Sequence, residues 1–165
     1  MVETSELKSP IGRAVDRLDT AALLAGSIGV VAFTTIVVYV VAARYLLGQT
    51  PFWAEELPRL LLVWVTFIGA IAAFARGTHF EAGIMPLVIK NERVRHAARF
   101  VAAVASAIFL IILAKTGLDI TMHTWGNMTT ALRWPVGLTY LALPVCCSLS
   151  ALAVIGRLIA RDLTP

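Results

Sequence analysis

At 165 residues, 59% of them hydrophobic and 15% charged, with a mean hydropathy of +0.83, the chain is too apolar for a soluble domain, where about 45–50% apolar and about 25% charged residues are usual. Its net charge of +4 is too modest to suggest nucleic acid. Membrane spans need roughly 20 apolar residues each, and four qualifying stretches use more than half the chain, which leaves little for a catalytic head.

The composition predicts an all-α membrane protein: a single four-helix membrane domain over 1–165, with spans at 21–43, 57–76, 97–118 and 136–156 and short interfacial amphipathic segments. Ser9-Pro10, followed by Ile11, Ala14, Val15 and Leu18, predicts a short interfacial helix ahead of the first span. A solvated tail is the equal alternative. The first span has no charge for 23 residues, too long for a signal-peptide core, and is expected to stay as an anchor. Ala22, Gly26, Gly29 and Phe33 give it a small-residue face suited to close helix contact.

Thr50-Pro51 supplies a cap and a first-turn proline for the next element, and Phe52 and Trp53 suit the headgroup region. Pro58 is expected to bend that helix, leaving 51–57 near the interface. The uncharged core 60–75 is about 24 Å of helix, so Arg59 and Arg76 must snorkel at its ends. The greasy loop 84–89 is too short to span and should lie in the interface or against protein. The third span is rich in alanine. Residues 119–134 connect onward, with Trp125 and Trp134 as interface anchors, and Pro144 should kink the fourth span near Tyr140.

Ten of the fourteen Lys and Arg residues fall in the N-terminal tail, the 76–99 segment and the C-terminal tail; Arg44, Arg59, Lys115 and Arg133 fall on the other side. The positive-inside rule then predicts both termini in the cytoplasm and the Glu55/Glu56 end of the second helix outside.

That second helix holds the unusual residues. Glu55, Arg59, Leu62, Thr66, Gly69, Ala73 and Arg76 follow at alternating intervals of four and three, which places them on one face. The remaining faces carry Leu60, Leu61, Val63, Trp64, Val65, Phe67 and Ile68. In lipid, large apolar residues are expected toward acyl chains and small or polar ones toward protein, so the stripe predicts a protein contact. Glu55, Glu56 and Arg59 admit three readings: a contact with a partner, an internal Glu–Arg pair near a helix N-terminus, or an ion site. The last is the weakest, because coupling sites lie near the midplane among broken helices.

His79, His96 and His123 lie outside the predicted spans, two at one end and one at the other, which argues against a bis-histidine haem. His79, after Arg76-Gly77-Thr78, is read as a helix-end cap or a partner contact. Cys146 and Cys147 are adjacent, lack metal spacing and read as small packing residues. Asn127-Met128-Thr129 matches a glycosylation sequon, a pattern too short to mean much. No catalytic, substrate-binding or metal-binding constellation is expected, and no cofactor.

The run Glu55-Glu56, Arg59, Trp64, Gly69 and Arg76-x-Gly-Thr-His79 resembles the small membrane subunit, DctQ type, of tripartite ATP-independent periplasmic (TRAP) transporters. A second block, Thr130-Ala131-Leu132-Arg133-Trp134-Pro135 with Tyr140 and Pro144, is similar to the family's approach to its fourth helix. One departure is Gly83, where the family often has an acid four residues after the histidine; Glu81 is nearby. The resemblance implies a non-catalytic small permease subunit in the bacterial inner membrane, scaffolding a large elevator-type subunit that holds the substrate and sodium sites. It further implies a periplasmic binding protein that delivers an organic anion, a carboxylate or sugar acid. Glu55, Glu56, Arg59, Thr66, Gly69, Ala73, Arg76 and His79 are the expected partner-interface residues, with lipid as the remaining partner. The alternative is the membrane anchor of a redox enzyme complex, which a Soret band would reveal. A small channel would need a polar face through the midplane, and Thr66 and Gly69 supply too little.

Overall fold

The computed structural model describes residues 10–76 and 92–162. Among these, four helices are long and apolar enough to cross a membrane. The chain is an all-α membrane protein.

Helix α1 runs Pro10–Leu46 and opens on Pro10, whose missing N–H is one of the donors a first turn leaves unpaired. The expected interfacial helix and first span are one continuous element of 37 residues, about 55 Å long. No helix-breaking residue separates 13–20 from 21–25, and Thr20 Oγ1 donates back to the Asp16 carbonyl (2.9 Å) just before the junction. At its far end Gly48 takes a left-handed φ of 65°. The amides of Leu47 and Gln49 both donate to the Ala43 carbonyl and close the helix.

Helix α2 runs Glu56–Arg76. Pro58 is its third residue, in the first turn, where no intrahelical donor is required. It helps to start the helix: because the helix begins at Glu56, no bond within it to the Ala54 carbonyl is lost. Helix α3, Glu92–Thr124, is longer at both ends than its predicted span, so the connection to the last span begins at Trp125. Helix α4, Gly137–Tyr140, and helix α5, Ala142–Asp162, share the fourth span and are interrupted at Leu141. Pro144 cannot donate to the Tyr140 carbonyl, the place where the sequence predicts a kink.

Helix α5 is the hub, packing against α1, α2 and α3, while α1 also lies along α2. Glycines set the close approaches. An added Cβ at Gly29 would lie 2.5 Å from Val65 Cγ2, and one at Gly117 would lie 2.8 Å from Leu143 Cδ2. Without such contacts, helices in lipid have little reason to associate, since neighbours and acyl chains are equally apolar. The adjacent free thiols divide between two interfaces. Cys146 packs with Ala22, Ile71 and Ala72, whereas Cys147 joins Phe74, Ala103, Ala107 and Leu110.

These contacts revise one expectation. Trp64, Val65, Phe67 and Ile68 were expected toward acyl chains but are partly buried within the chain. The broad apolar faces left exposed belong to α1 (Leu24, Ile28, Val31, Val38) and α3 (Val101, Ile108, Phe109, Ile112).

Candidate functional site

Helix α2 is held at both ends by polar contacts, and its charged and small stripe faces away from the chain. At the first end, residues 127–136 fold into a tight antiparallel turn. The Thr129 amide donates to the Trp134 carbonyl (2.8 Å), the Val136 amide to the Asn127 carbonyl (2.8 Å), and Met128 pairs with Pro135. Closing so short a turn puts Arg133 at a left-handed φ of 53°. It also leaves the amides of Ala131 and Leu132 pointing the same way, an anion-binding concavity of the kind that successive backbone N–H groups form.

Glu56 fills it. Ala131 N donates to Oε1 at 2.8 Å, Leu132 N to Oε2 at 2.7 Å, and Thr130 Oγ1 to Oε1 at 3.1 Å. Two backbone amides on an ionised carboxylate are charge-assisted bonds, shorter and stronger than neutral ones. Two turns along α2, Trp64 Nε1 donates to the Leu138 carbonyl at 3.1 Å, joining α2 to α4. The break at Leu141 is therefore braced from the side.

At the opposite end, Arg76 Nε donates to both carboxylate oxygens of Asp19 on α1, at 3.0 and 3.1 Å. The Arg76 carbonyl accepts from Arg157 Nη1 on α5 at 2.9 Å. The last turn of α2 is thus tied to two helices.

Glu55, just before the first clasp, and Arg59, Leu62, Thr66 and Gly69 between the two are exposed, and Ala73 is half-buried. Glu55 and Arg59 do not pair with each other; both side chains point outward, free of the chain's other described groups. Thr66 Oγ1 donates to the Leu62 carbonyl (2.7 Å), which satisfies its hydroxyl within the helix. Apart from its own helix backbone, no atom of the described residues lies within 4 Å of a Cβ built at Gly69. The surface is a shallow, small-residue strip with a free acid and a free cation at one end.

Among the anchors, Trp53 stacks on Tyr39 of α1, with ring centroids 6.0 Å apart and planes 8° from parallel. Phe52, Trp125 and Trp134 are exposed at the same end of the molecule. His79, with the rest of 77–91 and the apolar segment 84–89 expected in the interface, lies outside the described residues. Among the described residues, no three His, Cys, Asp or Glu side chains come together as a metal site.

A family model matches residues 33–164, well over half of the sequence: the DctQ component of tripartite ATP-independent periplasmic transporters. The chain belongs to this family. No curated protein matches it. As a DctQ component it is the small subunit of a TRAP transporter and a multi-pass membrane protein, and the family implies a transport role in place of catalysis.

Sequence reasoning grouped Glu55 and Glu56 as one feature of this DctQ chain. The fold separates them: Glu55 turns outward, and Glu56 turns into the chain. The two blocks carrying the resemblance hold both ends of this contact, Glu56 in one and Thr130 to Leu132 in the other, but Glu55 shares the first block, so the pairing is decided only by the fold. Asp19, which precedes the matched segment, was missed entirely.

Proposed function

We propose that this chain braces the large permease subunit of a sodium-coupled importer of organic anions, supplied by a periplasmic binding protein, and that the exposed α2 stripe is the contact seam. The observation that carries this reading is the orientation of α2. Most of its large residues pack within the chain, while Glu55, Arg59, Leu62, Thr66 and Gly69 are exposed among the described residues. A helix surface of small and polar residues is poorly suited to acyl chains and well suited to close approach by another helix. Glu56 and Arg76 support the seam by fixing its two ends, and Ala73 continues it. His79, three residues after Arg76 in the sequence, is assigned to the same contact.

The same reading puts the chain in the inner membrane, with the Arg76–Arg157 end cytoplasmic and the Glu56 end periplasmic, because basic residues gather at the former and aromatic anchors at the latter. The test is co-expression with the large subunit, followed by co-purification and sodium-driven uptake in liposomes with the binding protein. Gly69→Leu and Arg59→Glu are expected to reduce recovery of the large subunit while leaving the small subunit folded. Unchanged recovery with both variants would remove the stripe as the seam.

A further inference from the structure

We infer that the outward face of α1 binds an anionic phospholipid, with Arg13 and Arg17 on the phosphate and Leu24, Ile28 and Val31 along the acyl chains. The site lies wholly on this chain and stands whichever protein meets α2.

Helical register brings its two halves together. Because α1 is one unbroken helix from Pro10 to Leu46, a face of its polar first turns continues as a face of the span. Arg13, Arg17, Leu24, Ile28 and Val31 follow at intervals of three, four or seven, share one face and are all exposed. The other side of α1 is turned into the chain: Val15 is buried, its Cγ2 3.0 Å from a Cβ built on Gly156 of α5, and Asp19 holds Arg76.

Depth fits a headgroup. Ala21 to Ala43 carries no charge, about 34 Å of helix against a hydrocarbon core of about 30 Å. Arg17 and Arg13 precede Ala21 by about 6 and about 12 Å along the axis, where long guanidinium side chains meet the headgroup layer. At the far end the same face carries Ala42 and Leu46 in place of arginines, so the site belongs to one leaflet.

Charge selects the lipid. Among the described residues neither Arg13 nor Arg17 has a hydrogen bond or ion pair, while Asp16 has an interaction of its own and Asp19 is taken by Arg76. A guanidinium fork suits phosphate oxygens, and basic residues at a membrane surface attract anionic headgroups. A zwitterionic headgroup would also bring an ammonium group, for which this face has no free carboxylate. Leu24, Ile28 and Val31 are large and suited to acyl chains; the small residues that permit close helix approach, Ala22 and Gly26, are buried within the chain.

The experiment reconstitutes the full chain in vesicles of equal phosphatidylglycerol and phosphatidylcholine, with a photoreactive residue at Leu24 or at Val38 farther along the same face. Leu24 should capture phosphatidylglycerol about tenfold over phosphatidylcholine, and Val38 should capture the two equally. Arg13→Gln with Arg17→Gln should abolish the enrichment at Leu24 without loss of helicity, since both side chains are exposed, and lysine at both positions should retain most of it. Millimolar inorganic phosphate, which lacks acyl chains, should not compete. Equal capture of the two lipids at Leu24, enrichment that survives the double glutamine variant, or its loss to inorganic phosphate would each overturn the inference. So would cross-links from Leu24 to protein in place of lipid when the large subunit is present.

Discussion

The carboxylate of Glu56 receives the backbone amide of Leu132 at 2.7 Å, joining the first residue of one membrane helix to a turn 76 positions along the chain. With the Ala131 amide on its other oxygen, this contact fastens the 127–136 turn to α2. The turn leads directly into α4 and the interrupted fourth span, so one side chain sets the register of two spans.

Glu56→Ala should therefore lower the thermal midpoint of the detergent-solubilised protein more than Glu56→Gln. Gln keeps an acceptor for one amide but presents an NH₂ group to the other. Glu55→Gln, on the outward side, should leave the midpoint unchanged. Equal midpoints for all three variants would contradict the clasp.

Gly29 and Gly69 provide a paired comparison. A Cβ at Gly29 meets Val65 at 2.5 Å, whereas one at Gly69 meets nothing. Gly29→Val should destabilise the isolated subunit by about 1–3 kcal/mol, the usual range for overpacking, and Val65→Ala should recover part of the loss. Gly69→Leu should be neutral in the isolated subunit. Denaturant or thermal unfolding of both variants checks the contrast.

The Arg76–Asp19 pair is geometrically good but partly solvated, with side-chain exposures of 48% and 19%. Screening limits such a pair to about 0–1 kcal/mol, so Asp19→Asn should have a small effect that shrinks further at high salt. A double-mutant cycle with Arg76→Gln reads the coupling directly. A coupling energy well above that range would mean that the junction is drier in the membrane.

Trp64→Phe keeps most of the ring volume and deletes only the donor to the Leu138 carbonyl. The expected loss is about 1 kcal/mol, the net worth of an ordinary hydrogen bond. Hydrogen exchange should increase around Leu141, next to the brace. Unchanged protection there would show that Pro144 and local packing alone hold the break.

Much of this architecture is legible without coordinates, because hydropathy and helical spacing are local properties. Four spans, the apolar character of α1 and the placement of the helix break beside Pro144 all follow from residues within a turn or two of one another. The same reasoning counted Pro58 as two turns into a helix starting at Pro51, whereas the helix starts at Glu56 and Pro58 lies in its first turn. It also separated 10–20 from the first span, since polarity changes there although nothing interrupts the backbone bonding. A change in composition is not a change in helical geometry.

The tertiary structure alone decided which residues of α2 meet which neighbours. The stripe from Glu55 to Arg76 was visible as a periodicity, but whether it faced inward or outward depended on where α1 and α5 pack. In lipid that choice is made by glycine contacts such as Gly29 with Val65, not by a gain from burying apolar surface. Glu56 and Glu55 are chemically identical neighbours. One helical step of about 100° turns the first into the 131–132 amides and the second away from them, and no local property of the sequence distinguishes the two.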